Sequence, residues 1–175
     1  MKRSYKRPLK LSLLLVVFLA IELTGCGFRL RGDVELPPEV RQLAIEDTAT
    51  GTELVPVLNT LLRRSGIKPL DNVENARLVL VITNESYKRR VLTVSSAGQV
   101  QEYELAYSVK YSIKNIDDKN VSLMNQKVAI RRDLRFSVTE VLGKSSEEMR
   151  LKKDMINAAA EQILRRLPNA TAKKP

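Results

Sequence analysis

The stretch Glu102-Tyr-Glu-Leu-Ala-Tyr-Ser-Val-Lys-Tyr-Ser-Ile-Lys114 decides the fold. Tyr103, Leu105, Tyr107, Val109, Tyr111 and Ile113 take every second position, with Glu102, Glu104, Ser108, Lys110, Ser112 and Lys114 between them. Side chains along a strand alternate between faces, so this pattern predicts a strand with one apolar and one polar face. Downstream, Asp117-Asp-Lys-Asn120 carries turn chemistry, and beyond it the apolar set moves to even positions: Val128, Ile130, Leu134, Phe136 and Val138. A two- or four-residue loop centred on Asp118-Lys119 lets odd positions meet even ones, so both faces stay consistent; a three-residue loop would mismatch them. The same register sets Glu102 opposite Arg135.

Upstream, Ala97-Gly98 predicts a hairpin turn, and Ala76 to Thr83 (ARLVLVIT) is an unbroken apolar run of the kind buried on both faces. It continues through the polar Asn84 to Arg90 into Val91-Leu-Thr-Val94. That span is too long for one flat strand, so a bend or bulge is expected in the polar middle. Val40 to Glu46 reads as a short strand after the Pro37-Pro38 pair. Leu54, Val57, Leu58, Leu61 and Leu62 form one helix face, Pro56 sits in the first turn, and Gly66 is the expected C′ residue. Ser145-Ser-Glu-Glu148 has the spacing of a capping box. It opens a second helix that buries Met155, Ile156, Ala159, Ala160, Ile163, Leu164 and Leu167 and stops at Pro168. The order strand, helix, three strands, helix predicts an α+β domain: two helices packed on one face of a mostly antiparallel four-stranded sheet.

The chain starts differently. Lys2, Arg3, Lys6, Arg7 and Lys10 precede the apolar run Leu11 to Ile21, which is well short of the ~20 residues a helix needs to cross a bilayer. Leu23-Thr-Gly-Cys26 follows, and it resembles the bacterial lipobox, in which the cysteine thiol accepts a diacylglycerol before cleavage. Cys26 is the only cysteine of the chain. With three acyl chains, at about 0.8 kcal/mol per buried CH₂, such an anchor is effectively permanent. Gly27, not Asp, follows the cysteine, resembling the pattern that sorts lipoproteins to the outer membrane, with the chain on the periplasmic side. The expected organisation is a lipoprotein signal peptide over 1–25, a lipidated N-terminus and tether over 26–38, a single α+β domain over 39–168 and a disordered tail over 169–175.

Of 175 residues, 30 are Lys or Arg and 20 Asp or Glu, a net charge of +10. Loss of residues 1–25 removes five of the basic residues and one acidic one, Glu22, leaving about +6. The compartment excludes nucleic acid as partner but not an anion at a membrane. Without histidine there is no imidazole base, and one cysteine makes neither an internal disulfide nor a cysteine metal cluster. No Gly-rich phosphate loop, nucleophile elbow or carboxylate pair with a partner base appears, so neither an enzyme nor a cofactor is expected. What remains is recognition. Basic residues gather at Lys88-Arg89-Arg90, Arg131-Arg132 with Arg135, Lys144, and Lys152-Lys153; each cluster reads either as a solvated face or as a set of phosphate donors. Arg89 and Arg90 flank the expected bend and could offer fork-shaped donors.

Cys26-Gly-Phe-Arg-Leu-Arg31 with the Pro-containing tether, the hairpin Gly98-Gln-Val-Gln-Glu-Tyr-Glu-Leu105 and the closing helix Ala158 to Pro168 together resemble the lipopolysaccharide-assembly lipoprotein LptE family, across essentially the whole mature chain. The resemblance implies a lipoprotein that plugs the lumen of the outer-membrane barrel LptD, helps that barrel fold and assists lipopolysaccharide delivery to the cell surface. It also implies a ligand contact at Lys144. The family's second basic position falls here on Ser96, which leaves Arg89 or Arg90 as the substitute. The alternative is a structural envelope lipoprotein that scaffolds an outer-membrane complex without handling ligand.

Overall fold

The computed structural model describes residues 36–49, 51–118, 122–135 and 141–171, with the side chains of 39 and 141–145 outside that description. After a 3-10 turn over Pro38–Gln42, the elements are β1 (Leu43–Asp47), α1 (Leu54–Arg64), β2 (Leu78–Val94), β3 (Val100–Asn115), β4 (Leu123–Arg135) and α2 (Val141–Leu164). The four strands form one sheet in the order β1-β2-β3-β4.

The sheet is mixed. β1 runs parallel to β2, while β2–β3 and β3–β4 are antiparallel. The expected mostly antiparallel sheet therefore holds for two of its three pairings. The third departs because α1 carries the chain back between β1 and β2, and strands joined by a helical crossover run the same way. The short strand also starts later than the sequence suggests, Val40 lying in the 3-10 turn.

One large core fills the space between the helices and one sheet face. Leu54, Leu58 and Leu62 of α1 and Met155, Ala159, Ala160, Ile163 and Leu164 of α2 pack on Leu80, Ile82, Leu105, Tyr107, Val109, Tyr111 and Ile113, all essentially without solvent contact. β2 begins as the doubly buried strand that its composition predicts. Leu78, Leu80 and Ile82 face the helices, whereas Val79 and Val81 join Ala44, Ala76 and Leu70 in a small second cluster on the other face. α1 ends as Gly66 predicts: Gly66 takes φ +75°, its N–H donates to the Arg63 carbonyl, and the Ile67 N–H reaches back to Leu62.

The expected register of β3 and β4 is present, with Glu102 opposite Arg135, Tyr107 opposite Ile130 and Tyr111 opposite Gln126. It breaks at Ser112, whose hydroxyl accepts the Asn125 N–H where Asn125 turns to φ +53°. β2 bulges at the two ends of its polar stretch, near Thr83 and near Leu92, rather than in the middle. The Thr83 hydroxyl donates to the Lys110 carbonyl at the first bulge. That extra residue reverses parity. Before it even positions of β2 face the helices; after it Glu85, Tyr87 and Arg89 do, lying opposite Val109, Tyr107 and Leu105.

Two expectations at the C-terminal side change. α2 begins at Val141, so Ser145 to Glu148 lies inside the helix instead of opening it. The packed chain also runs past Pro168. A 3-10 turn over Leu167–Ala170 buries Ala170, whose carbonyl accepts the Asn115 side-chain N–H.

Candidate functional site

Arg89 and Arg90 are neighbours on β2 and therefore point to opposite faces of the sheet. Arg89 turns toward α2. Its guanidinium donates to Glu148 Oε2 at 2.8 Å and lies 4.8 Å from the centre of the Tyr103 ring. The other oxygen of the same carboxylate accepts the Tyr87 hydroxyl at 2.8 Å. Glu148 is thereby held by two donors from β2, at a position inside α2 and not at its start. Burial and then the Glu148 bond raise the Tyr87 phenol above its ordinary range, and the same carboxylate raises Arg89. Arg90, on the open face, pairs with the nearly buried Glu104 at 2.8 Å.

A second carboxylate on the helix side of β2 is structural. Glu85 accepts the Tyr107 hydroxyl at 2.7 Å and the Leu54 N–H at 3.4 Å, supplying from another element the cap that Glu53 does not give to α1. Burial first, and Glu85 second, push the Tyr107 phenol upward. Lys152 of α2 pairs with Glu53 and stands over the Tyr87 ring. These residues line a cleft of about 210 Å³ together with Gly51 and Thr52. The cleft falls below the ~300–1,000 Å³ of a drug-sized ligand pocket, so it would not itself enclose a large ligand.

Beyond Arg89 and Arg90 the hairpin tip is apolar and open. Val91, Leu92 and Val94 are 43–56% exposed, next to a turn in which Gly98 takes φ +76°. Lys144 lies in the first turns of α2, four residues before Glu148, but its side chain is among those outside the description. Cys26 and its lipobox likewise lie outside the described residues. The structure does not bring Arg89 and Arg90 together. It couples Arg89 instead to Tyr87, Tyr103 and Glu148, which sequence reasoning missed. The available signal was the alternation of Tyr87 with Arg89; Glu148 carried only its misleading cap spacing.

The profile described as "LptE: Lipopolysaccharide-assembly" matches residues 40–167. The chain belongs to the LptE lipopolysaccharide-assembly family. It is 29% identical over 157 residues to the LPS-assembly lipoprotein LptE of Yersinia enterocolitica, covering 89% of this chain and 74% of that one. Among solved structures it resembles rare lipoprotein B of Shewanella oneidensis, with TM-score 0.65 and 28% identity over 74% of this chain and 96% of that one. The solution structure of a lipoprotein B from Nitrosomonas europaea gives TM-score 0.67 and 30% identity over 81% and 90% of the two chains. LptE membership makes the protein an outer-membrane lipoprotein of lipopolysaccharide assembly, and not an enzyme. Among the described residues no helix is long and apolar enough to cross a membrane.

Proposed function

We propose that this LptE-family lipoprotein is acylated at Cys26, is anchored to the periplasmic side of the outer membrane, and acts as plug and assembly partner of the barrel LptD. In that complex it binds lipopolysaccharide through Arg89, Arg90 and Lys144 during delivery to the cell surface. The observation that carries the proposal is the family match across 40–167, nearly the whole folded domain. The hairpin supports ligand handling, because half-exposed guanidiniums stand beside the open apolar tip Val91, Leu92 and Val94, a combination suited to a phosphate-bearing amphiphile. One observation favours the scaffolding alternative: Arg89 and Arg90 already hold carboxylates, Glu148 and Glu104.

Binding of purified lipopolysaccharide separates the two. Arg89→Glu with Lys144→Glu is expected to abolish it while the barrel complex still assembles; unchanged binding would leave only the scaffold. Cys26→Ala is expected to release the protein from membranes, and persistent attachment would refute acylation there. Detergent extraction of outer membranes is expected to recover LptD with this protein, and its absence would end the proposed partnership.

A further inference from the structure

The open face of the sheet divides into two kinds of row. Toward the hairpin tip its charges are self-paired, Arg90 with Glu104 and Arg135 with Glu102. In the middle of the sheet they are not. Lys110 lies directly across from Lys127, and four residues further along the strands Lys88 and Arg131 flank Ala106. All four cations are exposed, and none forms an ion pair among the described residues. Between the two rows the floor is Ser86, Ser108 and Ala129. Asp133, two residues along β4 from Arg131 on the same face, and Glu104 opposite it border the patch.

Like charges directly opposite on adjacent strands destabilise a sheet. A sequence selected only for this domain's stability would place an acid at one of Lys110 and Lys127, as it does in the outer rows. Local conflict of this kind marks sites whose compensation comes from elsewhere. The two rows stand about 13 Å apart along the strands. Three of the four cations are lysines, which act as separate point charges and not as convergent forks. The small floor lets another flat surface approach closely and offers no large apolar side chain to an acyl chain.

We infer that this open face, centred on Lys88, Lys110, Lys127 and Arg131, docks on a flat protein surface that carries carboxylates, namely the wall of the barrel partner proposed above. The inference rests on that partnership and specifies which face makes it. Arg89 faces away from this patch, and Arg90 lies outside it, in the self-paired row of the open face nearer the hairpin tip.

The test uses the full lipidated chain co-produced with the barrel, with Lys127→Glu and, separately, Lys88→Glu with Arg131→Glu. Each variant is expected to lower recovery of the complex about fivefold or more at physiological salt, and the wild-type complex to weaken as salt rises. Lys127→Glu places an acid opposite Lys110, so the melting temperature of the unpartnered protein is expected to stay level or rise by about 1–3 °C. Binding of purified lipopolysaccharide is expected to match wild type in both variants. Undiminished recovery of the complex in both variants would overturn the inference. Loss of lipopolysaccharide binding with the complex intact would overturn it in favour of a phosphate-bearing ligand on this face. Failure of the wild-type protein to recover any barrel would show that the partnership itself is wrong, and the inference would fall with it.

Discussion

Replacing Glu148 by Ala removes one carboxylate that joins α2 to two residues of β2, and the two bonds differ in value. The Tyr87 hydroxyl is partly buried and donates to a charged acceptor at 2.8 Å. Such bonds contribute roughly 1.5–3 kcal/mol when well shielded, and partial access of water to Tyr87 reduces that to about 1–1.5 kcal/mol. The Arg89 bond has the same length, but its guanidinium side chain is 51% exposed and screened, so its share is about 0.5 kcal/mol or less. Glu148→Ala is therefore expected to cost about 1–2 kcal/mol and lower the melting temperature by roughly 3–8 °C. Urea unfolding of Glu148→Ala, Tyr87→Phe, Arg89→Ala and the two double variants measures both couplings. The Tyr87–Glu148 coupling is expected to exceed the Arg89–Glu148 coupling and to persist in high salt while the latter fades. A larger arginine coupling, or a Glu148→Ala cost below about 0.5 kcal/mol, would refute the division of energy drawn from exposure.

Tyr87 and Tyr107 both have phenol pKa values raised above the ordinary value of about 10, so the folded state favours their neutral forms. Their contribution is fully present below pH about 10 and is lost as pH rises beyond it; urea midpoints should fall more steeply above pH 10 in wild type than in Tyr107→Phe. Leu58→Ala, at a fully buried position between the helices and the sheet, is expected to cost about 2–5 kcal/mol by urea unfolding, and a loss under 1 kcal/mol would contradict its place in the core. Gly66→Ala meets no atom within 4 Å of the new methyl group, so its expected cost of about 1–2 kcal/mol is backbone strain at φ +75° alone. An unchanged melting temperature would show that the turn relaxes.

Much of the fold is legible because each decisive pattern is local. The alternation from Tyr103 to Ile113 names the buried face of β3, and parity across the Asp118 turn already pairs Glu102 with Arg135, which the structure joins at 3.4 Å. The i, i+3, i+4 spacing names Leu54, Leu58 and Leu62 as the face α1 buries. The run from Leu78 to Ile82 announces burial on both sides, but an apolar run has no marker of direction, so the parallel partner β1 appears only when α1 is seen to cross over. The capping spacing at Ser145 failed for a related reason. A cap spacing does not say where the helix begins, and α2 already runs through it from Val141, while Glu148 takes two donors on β2, 59 and 61 residues away in sequence.

From the sequence alone follow the class of the domain and most residues of its described core, which periodicity carries, and the resemblance to the LptE family, which rests on quoted motifs. Tertiary structure decided which charges meet around β2. A single extra residue at Thr83 shifts β2 by one position, so Arg89 faces Tyr87, Tyr103 and Glu148 while Arg90 faces Glu104 and the open sheet. The bulge sits where pairing with β3 and packing beneath the helices are both satisfied. That balance belongs to the whole sheet and has no signature in any short stretch of chain.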